Sequence, residues 1–428
     1  MNQFIPLRNI SCDGGNLTSD AGAIPLFDFI SNAQLLSLYR NLPYQDSRLY
    51  CKKANENFQI FTQILFRYLL GYFSQEDQII FQKDPLLKDF IPCSSSQSTV
   101  SRFYKRVNQN TINHFWRTLM NQACSFVDSQ SRTIVLDADS TVIKTYGHQE
   151  EAGYISHYKA EGYHPLVIFD ENTQVIVAAF NRPGNTYSSH EIEGIIETVL
   201  NKFKKEHSIL FRGDSAFYNS SLMNILETRG ANYVIRIKNY KKLVQSCIED
   251  CSKRVDLSQC KENLGFSFQG EILYETSQGE KSRVCYELSY DFKGKERIFG
   301  VITNLKTETT EEVLNLYRQR GASENYIKEL KNGFDAQHLS HQSFIENTFE
   351  FLLKSLTYNL FKIFQRLVLK GRDRKMTVNT WRMVYQKVVA KIVKHGGKIS
   401  LKMASSFKTR WKRFRRYLIQ AREVREVT

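Results

Sequence analysis

The sequence predicts an α/β fold: a mixed sheet with flanking helices, a helical N-terminal domain before it, a β-rich insertion within it, and a helical basic C-terminal region after it. Three observations carry this expectation. Apolar residues recur at spacings of three and four through residues 1–125, alternate in short strand-like runs from about residue 130, and return to helical spacing after residue 305. Between 133 and 237 the signals run strand, strand, strand, helix, strand, helix, strand. The cationic excess is confined to one end: the 428-residue chain carries 59 Lys+Arg against 44 Asp+Glu, and residues 361–428 alone contribute +17.

Composition excludes several classes. With 42% hydrophobic and 24% charged residues, seven prolines and eight scattered cysteines, the chain is neither disordered, nor collagen-like, nor a disulfide scaffold. The opening MNQFIPLRNI lacks the apolar run of a signal peptide, and the best apolar stretch, Phe61 to Phe73, is broken by Gln63 and Arg67. A soluble, cytoplasmic protein with reduced thiols and no membrane partner is expected.

The elements follow in order. Phe58, Phe61, Ile64, Leu65, Tyr68 and Leu69 line one helix face, with Gly71 marking its end. The run Ser94-Ser-Ser-Gln-Ser-Thr-Val-Ser-Arg offers several N-caps before a short, hydroxyl-rich basic helix, whose Ser98, Ser101 and Arg102 are candidate DNA contacts. Strands are expected at Thr133 to Leu136, Pro165 to Phe169 and Val175 to Phe180, the last two joined by a turn at Asp170-Glu-Asn-Thr. Ser188 and Glu191 read as a capping box for a helix with an apolar face of Ile192, Ile195, Ile196, Val199 and Leu200. A strand at Ile209-Leu-Phe, a helix around Leu222 to Leu226 closed by Gly230, and a strand at Tyr233-Val-Ile-Arg-Ile complete this part. Residues 240–263 are polar and Cys-rich, and 264–304 read as several short strands with turns at Ser277-Gln-Gly-Glu and Lys293-Gly. The expected domains are 1–125, DNA-binding; 126–239, catalytic, first part; 240–304, insertion; 305–368, catalytic, second part; and 369–428, the basic region. In the last, Trp381, Val384, Val388 and Ile392 recur at helical spacing, while Lys412, Arg413, Arg415 and Arg416 interleave with Trp411, Phe414 and Tyr417 as a polyanion-facing stripe.

Two strands end in acids with matching flanks: Ile134-Val-Leu-Asp-Ala-Asp-Ser-Thr and Ile209-Leu-Phe-Arg-Gly-Asp-Ser-Ala-Phe. In an open α/β sheet ligands bind at the carboxyl ends of strands. A pair of divalent metals needs several oxygen ligands from different elements, so a third acid is wanted, with Glu324 the first candidate and Glu329 the next. On one unbroken helix, at ~100° per residue, Tyr317, Arg320, Glu324 and Lys331 fall in a polar stripe about 60° wide. The alternatives are a surface helix with an Arg320–Glu324 ion pair, or a break at Gly321. The element order fits an RNase H-like sheet, with the first acid on strand one, the second at the end of strand four and the third on a late helix.

A Tyr, two residues, an Arg, three residues, a Glu, six residues and a Lys, here Tyr317, Arg320, Glu324 and Lys331, resemble the YREK signature of DDE transposases of bacterial insertion sequences. The resemblance extends to Asp13-Gly-Gly-Asn-Leu-Thr-Ser-Asp, Gly162-Tyr-His-Pro-Leu, Gly184-Asn and Lys328-Glu-Leu-Lys, and so covers nearly the whole chain. It implies a transposase that binds terminal inverted repeats, cleaves the ends and joins them to target DNA. It further implies that Asp139, Asp214 and Glu324 hold two Mg²⁺, for which Mn²⁺ is able to substitute, with Asp137 the alternative first ligand. Arg320 and Lys331 would hold end phosphates, Tyr317 would contact DNA near a displaced base, and the working form would be a homodimer on paired ends, with a hairpin intermediate open. A β-rich insertion between Asp214 and Glu324 suits this group. The rival readings are a non-transposing nuclease on the same fold and a catalytically inactive, domesticated DNA-binding protein. Cys247, Cys251 and Cys260 match no standard zinc spacing, His148, His157, His164 and His190 take no role, and no phosphate loop indicates a nucleotide.

Overall fold

The central feature is an eight-stranded mixed sheet, described from a computed structural model that covers residues 11–48, 53–90, 95–256, 266–275, 279, 281–291, 295–396 and 398–426. Its strands are β2 (Thr133–Ser140), β6 (Leu166–Asp170), β7 (Ile176–Phe180), β8 (Ser208–Gly213), β9 (Asn232–Arg236), β10 (Ser267–Glu275), β11 (Lys281–Tyr290) and β12 (Glu296–Thr303), in the order β10-β11-β12-β9-β8-β2-β6-β7. The remaining strands are β1 (Leu17–Thr18), β3 (Ile143–Lys144), β4 (Gly153–Ile155), β5 (Ala160–Tyr163), β13 (Ala390–His395) and β14 (Lys398–Met403), in two three-stranded sheets, β1-β13-β14 and β3-β5-β4.

The helices are α1 (Ile24–Asn32), α2 (Lys53–Leu70), α3 (Gln78–Lys83), α4 (Leu87–Phe90), α5 (Gln97–Tyr104), α6 (Gln109–Gln130), α7 (Ile192–Leu200), α8 (Ser220–Thr228), α9 (Lys241–Ser252), α10 (Thr310–Gln319), α11 (Ala322–Gly333), α12 (Phe344–Leu367), α13 (Val378–Trp381) and α14 (Lys408–Glu426). Two compact units result: residues 1–118, 329–336 and 343–428 form one, and 119–328 with 337–342 the other. Among the described residues no helix is long and apolar enough to cross a membrane.

In the first unit α12 is buried almost throughout, its polar and charged residues included. Phe349 gathers Phe61, Phe103, Tyr104 and Phe115 within ring-centroid distances of 5.4 to 6.4 Å. Its buried charges are paired, Lys354 with Glu350 at 3.0 Å and Lys362 with Glu329 at 2.7 Å. In the second unit β6 and β7 are buried on both faces, which is why they read as continuous apolar runs. The Asp170 carboxylate accepts from the Thr173 N–H at 2.8 Å and hydroxyl at 2.7 Å, and so builds the expected β6–β7 turn. Asn219 caps α8 and Gly230, at φ 70°, follows it.

Several expectations are corrected. The basic C-terminal region is not wholly helical: Val388 and Ile392 belong to a chain that leaves helical geometry after Gln386 and enters the β13–β14 hairpin. Alternating apolar and cationic residues on both sides of Gly396, at φ 56°, favour a hairpin over helix continuation. The Ser188 and Glu191 capping box does not form, because Glu191 stands at φ 61° and the Ser188 carbonyl instead accepts from Arg182. Residues 267–303 form three long antiparallel strands that extend the central sheet through the β9–β12 pairing. Their turns lie outside the described residues except Gly279. The polar segment after residue 240 begins with helix α9, which buries Cys247 and Cys251; Cys260 lies outside the described residues.

Candidate active site

β2 and β8 are neighbouring parallel strands with Ala138 opposite Gly213. The next residue in each chain is an acid, so Asp139 and Asp214 emerge side by side at the carboxyl ends of the strands. The Asp214 carboxylate accepts the Ala216 N–H at 2.8 Å, turning the chain toward α8. The third acid arrives on a helix. α10 starts in a capping box of Thr309 and Glu312, and α11 carries Glu324, exposed, in its first turn. Burial pushes the Asp139 carboxyl up to about 6; Arg320 opposes the rise, while Asp214 and Glu324 add to it. Asp139 therefore feels both of the other carboxylates.

The stripe from Tyr317 to Lys331 does not lie on one helix. Short backbone bonds from Arg320 N to Tyr317 O at 2.9 Å and from Gly321 N to Arg318 O at 3.1 Å end α10, and α11 starts at Ala322. Tyr317 closes α10 against the Phe299 ring at 5.5 Å. Its phenol is pushed up by burial, with Asp214 and Asp139 adding to the rise and Arg320 and Arg236 opposing it. Arg320, in the break, sets its Nη2 3.2 Å from Asp139 and 3.3 Å from the Ala138 carbonyl. Lys331 is half-buried two turns beyond Glu324, in the stretch that folds with the first unit.

Asp137 and Asp139 are two apart on β2 and so face the same side, yet their surroundings differ. Asp137 is fully buried and accepts from Arg212 Nε at 2.6 Å and Nη2 at 2.7 Å. The same guanidinium reaches Glu171 at 2.8 Å and the Leu316 carbonyl at 2.8 Å. Leu316 lies one turn from the end of α10, where the tightened last turn draws the Arg320 N–H to Tyr317 instead. Asp137 is thus engaged by a structural fork, while Asp139 sits at the strand end. Glu329 is also engaged: it accepts from Lys362 and, at 2.8 Å, from the Val378 N–H.

Sequence reasoning missed Arg212, although a cation inside an apolar strand is itself a sign of a buried partner. It missed Arg182 as well, which donates to the Ser140 hydroxyl at 2.9 Å and the His164 carbonyl at 3.0 Å, with burial pushing it down to about 10. The Tyr158 hydroxyl donates to the Ser140 carbonyl at 3.1 Å, so the residue after Asp139 is held from two sides.

The other candidates lie in the first unit. On α5, Ser98 and Arg102 are exposed and Ser101 half-buried, while Val100, Phe103 and Tyr104 anchor the opposite face. On α14, Lys412, Arg415 and Arg416 are exposed around buried Phe414. Arg413 is held by Asp373 and the Tyr385 hydroxyl, each at 3.1 Å.

Among the described residues no three Asp, Glu, His or Cys side chains stand close enough to grip a metal ion as they are. The donor set nevertheless fits one. Three carboxylates are hard oxygen ligands, and the burial that raises Asp139, with the smaller repulsion from Asp214 and Glu324, is what a divalent cation would offset.

Among curated proteins none matches this chain. Among solved structures, the piggyBac transposase synaptic complex with hairpin DNA aligns at a TM-score of 0.47 and 11% identity, over 86% of this chain and 80% of that one. The family model described as transposase DDE domain group 1 matches residues 8–423. Since that match runs from before the first described strand almost to the end of α14, the chain belongs to the DDE transposase family.

Proposed function

We propose that this chain is the transposase of a bacterial insertion sequence in the YREK-signature group, which binds the terminal inverted repeats of its element and moves it by DNA cleavage and strand transfer. The observation that supports the reading is that Asp139 feels both Asp214 and Glu324 and has Arg320 3.2 Å away. The strand order β7-β6-β2-β8-β9, antiparallel then parallel, supports an RNase H-like core. Asp139, Asp214 and Glu324 would hold Mg²⁺ or Mn²⁺. Such ions, when bound, activate a water or a 3′ hydroxyl and stabilise the leaving oxygen. The chain's own residues do the rest. Arg320 supplies positive charge where the non-bridging oxygens of a phosphodiester are received, and Tyr317 lines the approach. Lys331 takes an end phosphate. Ser98, Ser101 and Arg102 read the end sequence, and Lys412, Arg415 and Arg416 hold the duplex backbone. Paired ends engage a homodimer.

The test uses purified full-length protein, Mg²⁺, a linear DNA carrying the gene with its flanks, and a target plasmid. Cuts at the two borders of the element, followed by joining to the plasmid, are expected. Cutting without joining would favour a nuclease; binding without cutting would favour an inactive DNA-binding protein.

A further inference from the structure

The hairpin that interrupts the basic C-terminal region has two unlike faces. On one, Ala390 stands opposite Met403 and Ile392 opposite Leu401; on the other, Lys391 stands opposite Lys402, Val393 opposite Ser400 and His395 opposite Lys398. The first face is covered as far as Ile392 and Leu401, with Ala390 and Ile392 buried in a cluster with Ala21 and Leu86, and Leu401 and Met403 packed against it; beyond them Lys394 and Ile399, which stand opposite each other, are exposed. The second face exposes Lys391, His395, Lys398 and Lys402. Among the described residues, the ion pairs of this unit leave out Lys391, Lys398 and Lys402.

Like charges directly opposite on an antiparallel pair repel and destabilise the ribbon. Lys391 and Lys402 are such a pair, and Lys398 adds a third cation on the same face at the turn. A ribbon that served only to cover Ala21 and Leu86 would gain nothing from this arrangement. A polyanion laid along the face removes the repulsion and releases its counterions. The major groove admits a two-stranded ribbon, but this face carries no Arg, Asn or Gln to read base edges, and lysines act on phosphates as point charges.

We propose that Lys391, Lys398 and Lys402 on the β13–β14 hairpin form a docking surface for duplex DNA that contacts phosphates without reading sequence. The inference rests on the DNA-processing function proposed above. It places part of the cationic C-terminal excess on a β-ribbon that is separate from α14.

The test compares wild type with the triple variant Lys391→Gln, Lys398→Gln and Lys402→Gln in the full chain. Binding is titrated with salt on two duplexes of equal length, one from the flank of the gene and one unrelated. Each lost phosphate contact lowers the slope of log affinity against log salt by about 0.9, so a fall of about two to three is expected, equal on both duplexes. In parallel, Lys402→Glu sets an acid opposite Lys391. Its thermal midpoint should rise while its DNA affinity falls, and opposite signs in one variant are not the mark of a merely structural lysine. An unchanged slope in the triple variant, with wild type binding both duplexes, would overturn the proposal and leave the transposase reading intact. A loss confined to the flanking duplex would overturn the sequence-independent contact. Failure of wild type to bind either duplex would instead overturn the DNA-processing reading itself, and this surface with it.

Discussion

Replacing Asp139 with Asn should make the metal-free protein more stable near neutral pH. Burial, Asp214 and Glu324 together outweigh Arg320 and raise the Asp139 carboxyl to about 6. Its unfolded value is about 3.9, so the native state holds a proton that the unfolded chain has already lost between about pH 4 and pH 6. Native stability therefore falls as pH rises through that window, and the full cost is present above it. At about 1.36 kcal/mol per pH unit, a rise of about two units corresponds to ~3 kcal/mol as an upper bound. Asn reproduces the neutral form, including a weakened contact to Arg320, so Asp139→Asn should recover most of this amount. The assay is urea unfolding in chelator at about pH 7.5 and again at about pH 4, where the gain should vanish. Added Mg²⁺ at about a hundred times its dissociation constant should stabilise wild type by ~2.7 kcal/mol and the variant by much less. A variant less stable than wild type near neutral pH in chelator, or equal Mg²⁺ stabilisation of both, would refute the reasoning.

Other outcomes follow from named contacts. Arg212→Ala leaves Asp137 buried without its fork and releases Glu171 and the Leu316 carbonyl, and should cost about 3 to 5 kcal/mol in urea unfolding; unchanged stability would show the fork to be idle. Neutralising Lys412, Arg415 and Arg416 should weaken flanking and unrelated duplexes by similar factors without moving the thermal midpoint, whereas Arg413→Ala should lower the midpoint because it frees Asp373. Changing Ser98, Ser101 and Arg102 should narrow the preference for element ends by roughly 1 to 3 kcal/mol per lost base contact, and equal losses on both duplexes would make α5 an ordinary surface helix.

Strands with continuous apolar runs, such as Leu166 to Phe169 and Ile209 to Phe211, were legible because burial on both faces leaves no other composition. The placement of Asp139 and Asp214 at the ends of β2 and β8 was legible for a related reason: strand ends and short polar flanks are local in sequence. What could not be read was long-range. That Asp137 is engaged and Asp139 is not taken by the same fork depends on Arg212, 75 residues from Asp137 on the neighbouring strand. Gly321 was a local warning of the helix break, but the carbonyl that the tightened turn sets free is taken by that same distant guanidinium. The β13–β14 hairpin was masked because Trp381, Val384, Val388 and Ile392 satisfy a helical period by coincidence, and only pairing with β1 and cover by Leu86 decide for strand. The small β3-β5-β4 sheet has strands of two to four residues, too short for any periodicity to register.

The most direct measurement is a side-by-side cleavage assay of Asp137→Asn, Asp139→Asn, Asp214→Asn, Glu324→Gln and Glu329→Gln on DNA carrying the borders of the element, in Mg²⁺, with end binding measured in parallel. Cleavage should be abolished in the Asp139, Asp214 and Glu324 variants while their end binding stays within a few-fold, and should survive in the Glu329 variant and, at reduced stability, in the Asp137 variant. Normal cutting by the Asp214 or Glu324 variant, or loss in the Asp137 variant alone, would contradict the assignment of this site.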